Sequence, residues 1–158
     1  MPAAWVCLYS WLCGLKGWRN NMSTKTGLAG EYLTAAVILE QEGWQVSMAQ
    51  QDGIDLVAFK DGKFVTIQVK TATLRTPTDR CTPSYHFNLA SGRHQKIVKR
   101  GVYDILACCA ATDRRVWFQA QCCVNQLTMR KSSAFFSKPD LEADTWQRAV
   151  QIVMEGRR

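Results

Sequence analysis

The sequence contains little from which a metal centre with nitrogen or sulfur ligands could be built. Only two histidines are present, His86 and His94, and neither is spaced from a partner as metal ligands are. None of the seven cysteines belongs to a Cys-x-x-Cys pair or a Cys/His cluster, so the ligand spacing of a structural zinc site is missing. We interpret the cysteines as reduced, mostly buried thiols, which predicts a cytoplasmic location.

Long apolar runs are missing as well. No stretch of about 18 uninterrupted apolar residues occurs, so we expect neither a membrane-spanning helix nor a membrane partner. No internal repeat is evident either. With 158 residues, of which 47% are hydrophobic, the chain can bury a core of its own. We assign residues 22–158 to a single globular domain.

The first 21 residues differ from the rest of the chain. Positions 2–15 are apolar and rich in Trp and Cys, but they lack a preceding basic stretch and a small-residue cleavage site, which argues against a secretory signal. Met22 opens an ordinary domain start. We interpret residues 1–21 as a poorly ordered extension or an over-long start, with a membrane or partner anchor as the alternative.

Helical and extended patterns follow one another along the remaining chain. Ser23 or Thr26 can cap a first helix that runs to about Glu42, with an apolar face that includes Leu28, Ala35 and Leu39. The order αβββ followed by β-β-α predicts an α/β fold with a central mixed sheet flanked by helices. Strands are predicted over residues 44–49, 53–59, 64–70, 84–89, 103–111 and 115–121, a loop over 131–139, and a last helix capped by Asp140 over 140–154.

A β-hairpin is predicted where the second and third strands meet. Its tip is the dipeptide Asp61-Gly62, which favours a type I′ turn because both central residues need positive φ. Such a turn puts Lys60 opposite Lys63 and fixes the register of the two strands. Continued along the strands, this register puts Asp55 opposite Gln68.

The register sorts the hairpin into a polar and an apolar face. On the polar face we expect Asp55 and Gln68 roughly 5 Å apart at Cβ, with Lys70 about 6 to 7 Å away. An acid, an amide and an ammonium group therefore converge. The other face must be covered, most simply by the first helix; it consists of Ile54, Leu56, Ala58, Val65, Ile67 and Val69.

Positive charge is concentrated just beyond this hairpin. The chain has a formal net charge of +7, and residues 71–102 carry six basic side chains against the single acid Asp79. Such a stretch suits the phosphate backbone of DNA and predicts salt-dependent binding with little sequence preference. An ordinary solvated surface is the alternative. The residues expected to contact DNA are Arg75, Arg80, Arg93, His94, Lys96, Lys99 and Arg100.

Three short motifs occur in a fixed order: Gly30-Glu31-Tyr32 on the first helix, Gly53-Ile54-Asp55 opening the second strand, and Gln68-x-Lys70 in the third. In this order they resemble the PD-(D/E)xK nuclease superfamily, which has the restriction-endonuclease-like fold. With Tyr85–Leu89 and Tyr103–Ala107 added, the chain is similar to the branch that contains group I intron homing endonucleases. Archaeal-type Holliday junction resolvases share the helix-borne glutamate. The likeness covers about residues 24–121.

The resemblance implies a Mg²⁺-dependent DNA endonuclease, with Mn²⁺ as an alternative cation. Asp55 would be the main metal ligand, assisted by Glu31, the Gln68 side-chain carbonyl and the Val69 main-chain carbonyl. Lys70 would orient the attacking water or neutralise the phosphate. Because both DNA strands are usually cut by symmetric dimers, we expect a homodimer, with the C-terminal helix as a candidate interface.

The chain departs from the family pattern at one important position. Gln68 stands where the motif has an acid, and it offers a carbonyl oxygen without a charge. Two functions therefore stay open: an endonuclease that acts on DNA junctions or on a duplex site, and a catalytically weak or inactive DNA-binding module of the same fold. Asp104 is interpreted as a structural cap or turn residue, and Thr71 as a strand-end residue.

Overall fold

The computed structural model describes residues 25–75, 82–91, 96–97 and 101–157. The predicted extension over residues 1–21 lies outside these ranges, so its interpretation stays a prediction. No helix within the described ranges has the length and apolar character needed to cross a membrane. Helix α1 covers residues 25–39. The other elements are β1 (Gln45–Gln51), β2 (Ile54–Lys60), β3 (Lys63–Ala72), β4 (Ser84–Asn88), β5 (Ala90–Ser91), β6 (Lys96–Ile97), β7 (Ile105–Ala110), β8 (Arg115–Ala120), a 3₁₀ turn (Gln121–Cys123), β9 (Thr128–Ser132), α2 (Ser133–Phe136) and α3 (Leu141–Glu155).

A mixed sheet of five strands, in the order β1-β2-β3-β7-β8, forms the centre of the fold. Strands β3 and β7 are parallel, and the other neighbours are antiparallel. Every residue of β7 is buried, as expected for a central strand covered on both faces. Two short ladders, β4–β9 and β5–β6, lie outside the sheet. The predicted α/β fold, with a central mixed sheet flanked by helices, is confirmed.

The two faces of the sheet are covered differently. On one face, Ile38 of α1 and Trp146 of α3 pack against apolar side chains of β2, β3, β7 and β8. On the other face, the ladder β4–β9 and helix α2 supply Tyr85, Phe87 and Phe136 to a second cluster. Apolar side chains of β7 belong to both clusters because its successive residues point to opposite faces. The ladder β4–β9 therefore lies on the sheet face opposite α1.

Helix α1 lies very close to β3 at Gly30. A Cβ atom on Gly30 would lie 2.0 Å from Thr71 Oγ1 and 2.9 Å from Thr71 Cγ2, distances that no side chain could tolerate. Thr34, one turn further along, is fully buried and donates a hydrogen bond to the Gly30 carbonyl at 2.8 Å. The glycine lets the helix backbone rest on the strand, and this contact fixes where the next residue, Glu31, is held.

The apolar face predicted for α1 is correct at Ala35, which packs against the core, and wrong at its two leucines. Leu28 and Leu39 are 46% and 57% exposed, whereas Val37 and Ile38 are buried in the core. The helix turns its smallest residue, Gly30, towards the sheet, and the leucines then point to solvent. The helix also ends at residue 39, three residues before the predicted end.

Three further expectations are corrected. Residues 131–139, predicted as a loop, contain the end of β9 and helix α2, which Met129 and Phe136 anchor in the second cluster. Ile54 packs against that same cluster instead of beneath α1, and the register of β1 and β2 shifts between Ile54 and Leu56. Asp140 precedes α3, but its side chain makes no capping hydrogen bond; its main-chain carbonyl accepts one instead.

The expectation that the cysteines are mostly buried holds for one adjacent pair and fails for the other. Cys108 and Cys109 are buried in β7, and burial raises the pKa of Cys109 to about 11. Cys122 and Cys123 are exposed in the 3₁₀ turn that follows β8, with their sulfur atoms 3.8 Å apart. All four are free thiols. The exposed pair lies beyond the end of its predicted strand.

The close contact at Gly30 predicts a stability difference between two glycines of the same helix. Gly30→Ala should lower the free energy of unfolding by about 1–3 kcal/mol, because the new Cβ must displace Thr71 or the helix. Gly27→Ala should be neutral or stabilising by about 0.5–1 kcal/mol, since nothing lies within 4 Å of its Cβ and alanine favours helix. Urea unfolding of both variants measures the difference. Adding Thr71→Ala to Gly30→Ala should restore part of the loss; equal stability of the two single variants would contradict the close approach.

Candidate functional site

The β2–β3 hairpin has the predicted register. Both residues of its turn, Asp61-Gly62, have positive φ, 51° and 73°, as a type I′ turn requires. Lys60 pairs with Lys63, as predicted. Asp55 and Gln68 are in direct contact, with Gln68 Nε2 donating a hydrogen bond of 2.5 Å to Asp55 Oδ2. The predicted convergence of these two side chains is confirmed.

The Asp55 carboxylate lies where the ladder of the hairpin ends. Its Oδ2 atom accepts a second hydrogen bond, of 2.6 Å, from the main-chain N–H of Val69. A side chain thus satisfies a donor of β3 that no main-chain carbonyl of β2 takes up. Within the described residues, the other carboxylate oxygen, Oδ1, makes no hydrogen bond. Asp55 is therefore held in place and keeps one oxygen for a ligand.

Glu31 approaches the same region from helix α1. Partial burial and the negative charge of Asp55 raise the pKa of Glu31 above its ordinary value. The effect of Asp55 requires the two carboxylates to be near one another. Two like charges at one place repel, and a bound cation would relieve that repulsion.

Lys70 and Glu31 line one cleft of about 450 Å³ between the start of α1 and the end of β3. Asp55 and Gln68 lie beside this cleft, joined to it through Val69, which belongs to its lining. The cleft is lined by Thr26, Gly27, Glu31, Val69, Lys70, Thr71, Ala72, Thr73, Arg75 and His86.

These donors fit a hard divalent cation. Carboxylate and main-chain carbonyl oxygens are the ligands that Mg²⁺ prefers, and Glu31, Asp55 and Val69 supply them. No group of three or more His, Cys, Asp or Glu side chains suited to a metal occurs in the part of the chain that the structure describes. A cation at this site would therefore also need amide and main-chain oxygens as ligands.

Gln68 is turned away from the orientation that metal binding would need. Its Nε2 atom donates to Asp55 Oδ2 and also lies 3.4 Å from the carbonyl oxygen of Val69. The amide NH₂ group thus bridges two of the oxygens that would hold the cation. Rotation of the amide would break both contacts and turn its carbonyl oxygen towards the site.

Of the residues predicted to contact DNA, only Arg75 and Lys96 belong to the part of the chain that the structure describes. Arg75 is exposed and lines the cleft beside Lys70. Lys96 lies in β6, where its main chain pairs with Ser91. The remaining predicted contacts lie outside the described residues and stay predictions: Arg80, Arg93, His94, Lys99 and Arg100.

Asp104 has the structural role that its position indicates. Its Oδ2 atom accepts hydrogen bonds from Thr66 N at 2.7 Å and from Thr66 Oγ1 at 2.8 Å, and it forms an ion pair of 2.7 Å with Arg157. This acid ties the start of β7 and the C-terminal end of the chain to β3. Thr71 packs against Gly30 through its side chain, which leaves its hydroxyl buried.

Two basic side chains near the cleft were not predicted from the sequence to have a role there. His86 lines the cleft, although its sequence position suggested no role, and Arg130 lies opposite it on β9. Strand β9 was not predicted, so nothing connected Arg130 with the cleft. The alternation of exposed and buried residues in Thr128-Met129-Arg130 is the signal that could have revealed it.

Comparison with known proteins gives a structural similarity and no match by sequence. No family model and no curated protein matches the chain. The structure is similar to that of the bacterial homing endonuclease I-Ssp6803I, with a TM-score of 0.61. The match covers 85% of this chain and 95% of that chain, at 14% sequence identity. This similarity shows a shared fold.

The raised pKa of Glu31 predicts a pH-dependent cost to stability. The folded protein binds this proton more tightly than the unfolded chain, so stability falls as the pH rises from 4.5 through the raised value. Without divalent cations, Glu31→Gln should therefore be more stable than wild type at pH 7, and the gain should vanish well below pH 4.5. Thermal unfolding in EDTA across this pH range measures it. Glu40→Gln, at an exposed position just after α1, is the control and should show no such gain.

Proposed function

We propose that this protein is a Mg²⁺-dependent DNA endonuclease that hydrolyses phosphodiester bonds. One observation carries the proposal: Glu31, Lys70 and Arg75 line one cleft, and the Asp55 carboxylate lies beside it, hydrogen-bonded to the Val69 N–H. Cation ligands beside basic groups are what metal-assisted hydrolysis of a polyanion requires. The fold shared with a homing endonuclease supports the same conclusion.

Each residue of the site has a proposed task. Asp55, Glu31 and the Val69 carbonyl would hold Mg²⁺ or Mn²⁺, and the Gln68 amide, once rotated, would add its carbonyl oxygen. Such a cation, when bound, makes an attacking water more acidic and offsets negative charge on the phosphate. Lys70 carries its ammonium group on the same strand face as Gln68 and stabilises the charge that develops on the phosphate oxygens.

The proposed substrate is DNA because the net charge of the chain is +7 and basic residues follow directly on β3. The neighbouring structure is described as a homing endonuclease, which supports a duplex target. The likeness of the sequence motifs to junction resolvases supports a four-way junction as the other substrate. A homodimer would present two sites, one to each strand.

A second function is supported by Gln68 itself. Its amide donates a hydrogen bond to the Asp55 carboxylate and carries no charge. The site therefore has one carboxylate fewer than the family motif provides. A protein of this fold that binds DNA and cuts it slowly or not at all would have such a site. Cleavage assays separate the two functions.

Cleavage should depend on Asp55 and Lys70. Asp55→Asn keeps an acceptor for the Val69 N–H but removes the charge, and Lys70→Ala removes the ammonium group; each should slow cleavage by about 100-fold or more. Lys63→Ala, on the exposed tip of the same hairpin, is the matched control and should cut normally. Purified proteins are incubated with Mg²⁺ and a panel of duplex, single-stranded and four-way-junction DNA.

The outcomes of this panel distinguish the endonuclease from the DNA-binding module. Cleavage by wild type that is lost in both site variants supports the endonuclease. Unchanged cleavage by a folded Asp55→Asn protein would remove Asp55 from the site. Wild-type binding of DNA without cleavage, in Mg²⁺ and in Mn²⁺, would favour the DNA-binding module.

Gln68→Glu should strengthen cation binding at the expense of stability in its absence. The new carboxylate loses the hydrogen bond to Asp55 and adds a third negative charge beside Glu31, so the melting temperature in EDTA should fall. Added Mg²⁺ should raise the melting temperature of the variant more than that of wild type, by linkage to binding. Thermal unfolding across a Mg²⁺ titration measures both effects. An equal rise in the two proteins would show that no cation binds beside position 68.

A further inference from the structure

Three basic side chains gather on the ladder β4–β9 beside the cleft. His86 on β4 lies directly opposite Arg130 on β9. Arg75 is joined to Ser84 by a pair of main-chain hydrogen bonds of 3.0 and 3.2 Å. The side chains of Arg75, His86 and Arg130 are exposed, so they can reach a ligand in solvent.

The Ser84 hydroxyl links two members of this group. Ser84 is only 4% exposed. Its Oγ atom accepts a hydrogen bond of 3.0 Å from Arg130 Nε and shares a hydrogen bond of 3.1 Å with His86 Nε2. Anchoring through Nε orients the guanidinium group and leaves both of its NH₂ groups available for a ligand. The cluster is thus organised around a buried polar atom, unlike a set of independent surface cations.

The cluster has no acidic partner in the described part of the chain, where the ion pairs are Arg115–Glu142 and Arg157–Asp104. Loss of hydration and the charges of Arg75 and Arg130 lower the pKa of His86. Like charges held together without an acid repel one another, and an anion would offset that repulsion. Arg75 and His86 belong to the lining of the cleft that Glu31 and Lys70 share.

We propose that Arg75, His86 and Arg130, joined through Ser84, form a binding subsite for a backbone phosphate of DNA adjacent to the phosphate held at Lys70. An anchored arginine with two free NH₂ groups matches two phosphate oxygens, and the imidazole supplies a further donor. The subsite sets the path of the strand through the cleft and does not take part in the chemical step. The inference rests on the proposed function, since it takes DNA as the substrate.

Binding measurements without cleavage test the subsite. Duplex DNA is titrated in EDTA over a range of salt concentrations with wild type, Arg130→Ala and Arg75→Ala. Each variant should bind roughly tenfold more weakly, because a charge-assisted hydrogen bond is lost. The slope of log affinity against log salt should fall by about 1. Arg148→Ala is the matched control: it removes the same charge from an exposed position on α3 that lines a different cleft, and it should leave both quantities unchanged.

Ser84→Ala separates organisation from charge. The variant keeps every basic residue but loses the link between Arg130 and His86, so affinity should fall several-fold while the salt slope stays that of wild type. Wild-type affinity in Ser84→Ala would show that the hydroxyl does not organise the subsite.

Neutral backbone substitutions identify the phosphate itself. Single methylphosphonates are introduced one by one along the duplex. At the phosphate held by the subsite, wild type should lose affinity, whereas Arg130→Ala should lose little more than it has lost already. Additive losses at every position would overturn the proposal.

The results also separate this inference from the proposed function. Wild-type affinity and slope in Arg130→Ala, with normal cleavage, would refute the subsite alone. Weakened binding by Arg130→Ala in a protein that never cuts DNA would uphold the subsite and refute the endonuclease. Absence of DNA binding by wild type would refute both.

Discussion

The hydrogen bond from the Val69 N–H to the Asp55 carboxylate is the contact on which the candidate site depends. Where the ladder of the hairpin ends, the carboxylate takes the place of a main-chain partner and is thereby fixed. The side chain of Gln68, the residue before Val69, donates to the same carboxylate oxygen. The main-chain donor of Val69 needs a hydrogen-bond partner, and meeting this need holds the Asp55 carboxylate beside the cleft.

Electrostatics then divides the cleft into two kinds of surface. Glu31 and Asp55 supply the acidic groups, and burial together with the charge of Asp55 raises the pKa of Glu31. Lys70, Arg75 and His86 form a basic lining, with Arg130 behind it. A divalent cation and a nucleic-acid phosphate would complement these two surfaces, which supports the proposed function.

The sequence was sufficient wherever short-range chemistry decides the structure. The hairpin register followed from the turn preference of Asp61-Gly62, and the contact of Asp55 with Gln68 followed from counting along the strands. Packing between distant parts of the chain was harder to predict from the sequence. Helix α1 has more than one apolar face. Leu28 and Leu39 stay exposed, because Gly30 permits a closer approach of the opposite side of the helix to the sheet. Strand β9 escaped prediction because its partner, β4, is 40 or so residues away in the chain.

The amino-acid sequence by itself therefore determined the predicted strands of the central sheet, the hairpin and the contact of an acid with an amide on one strand face. Turn propensity and strand alternation act over a few residues, so they can be deduced from a short stretch of sequence. Only the tertiary structure decided how Glu31 meets Asp55, which way the Gln68 amide points, and that Arg130 joins His86. These relations depend on which surfaces can be buried against each other, and that is a property of the whole chain.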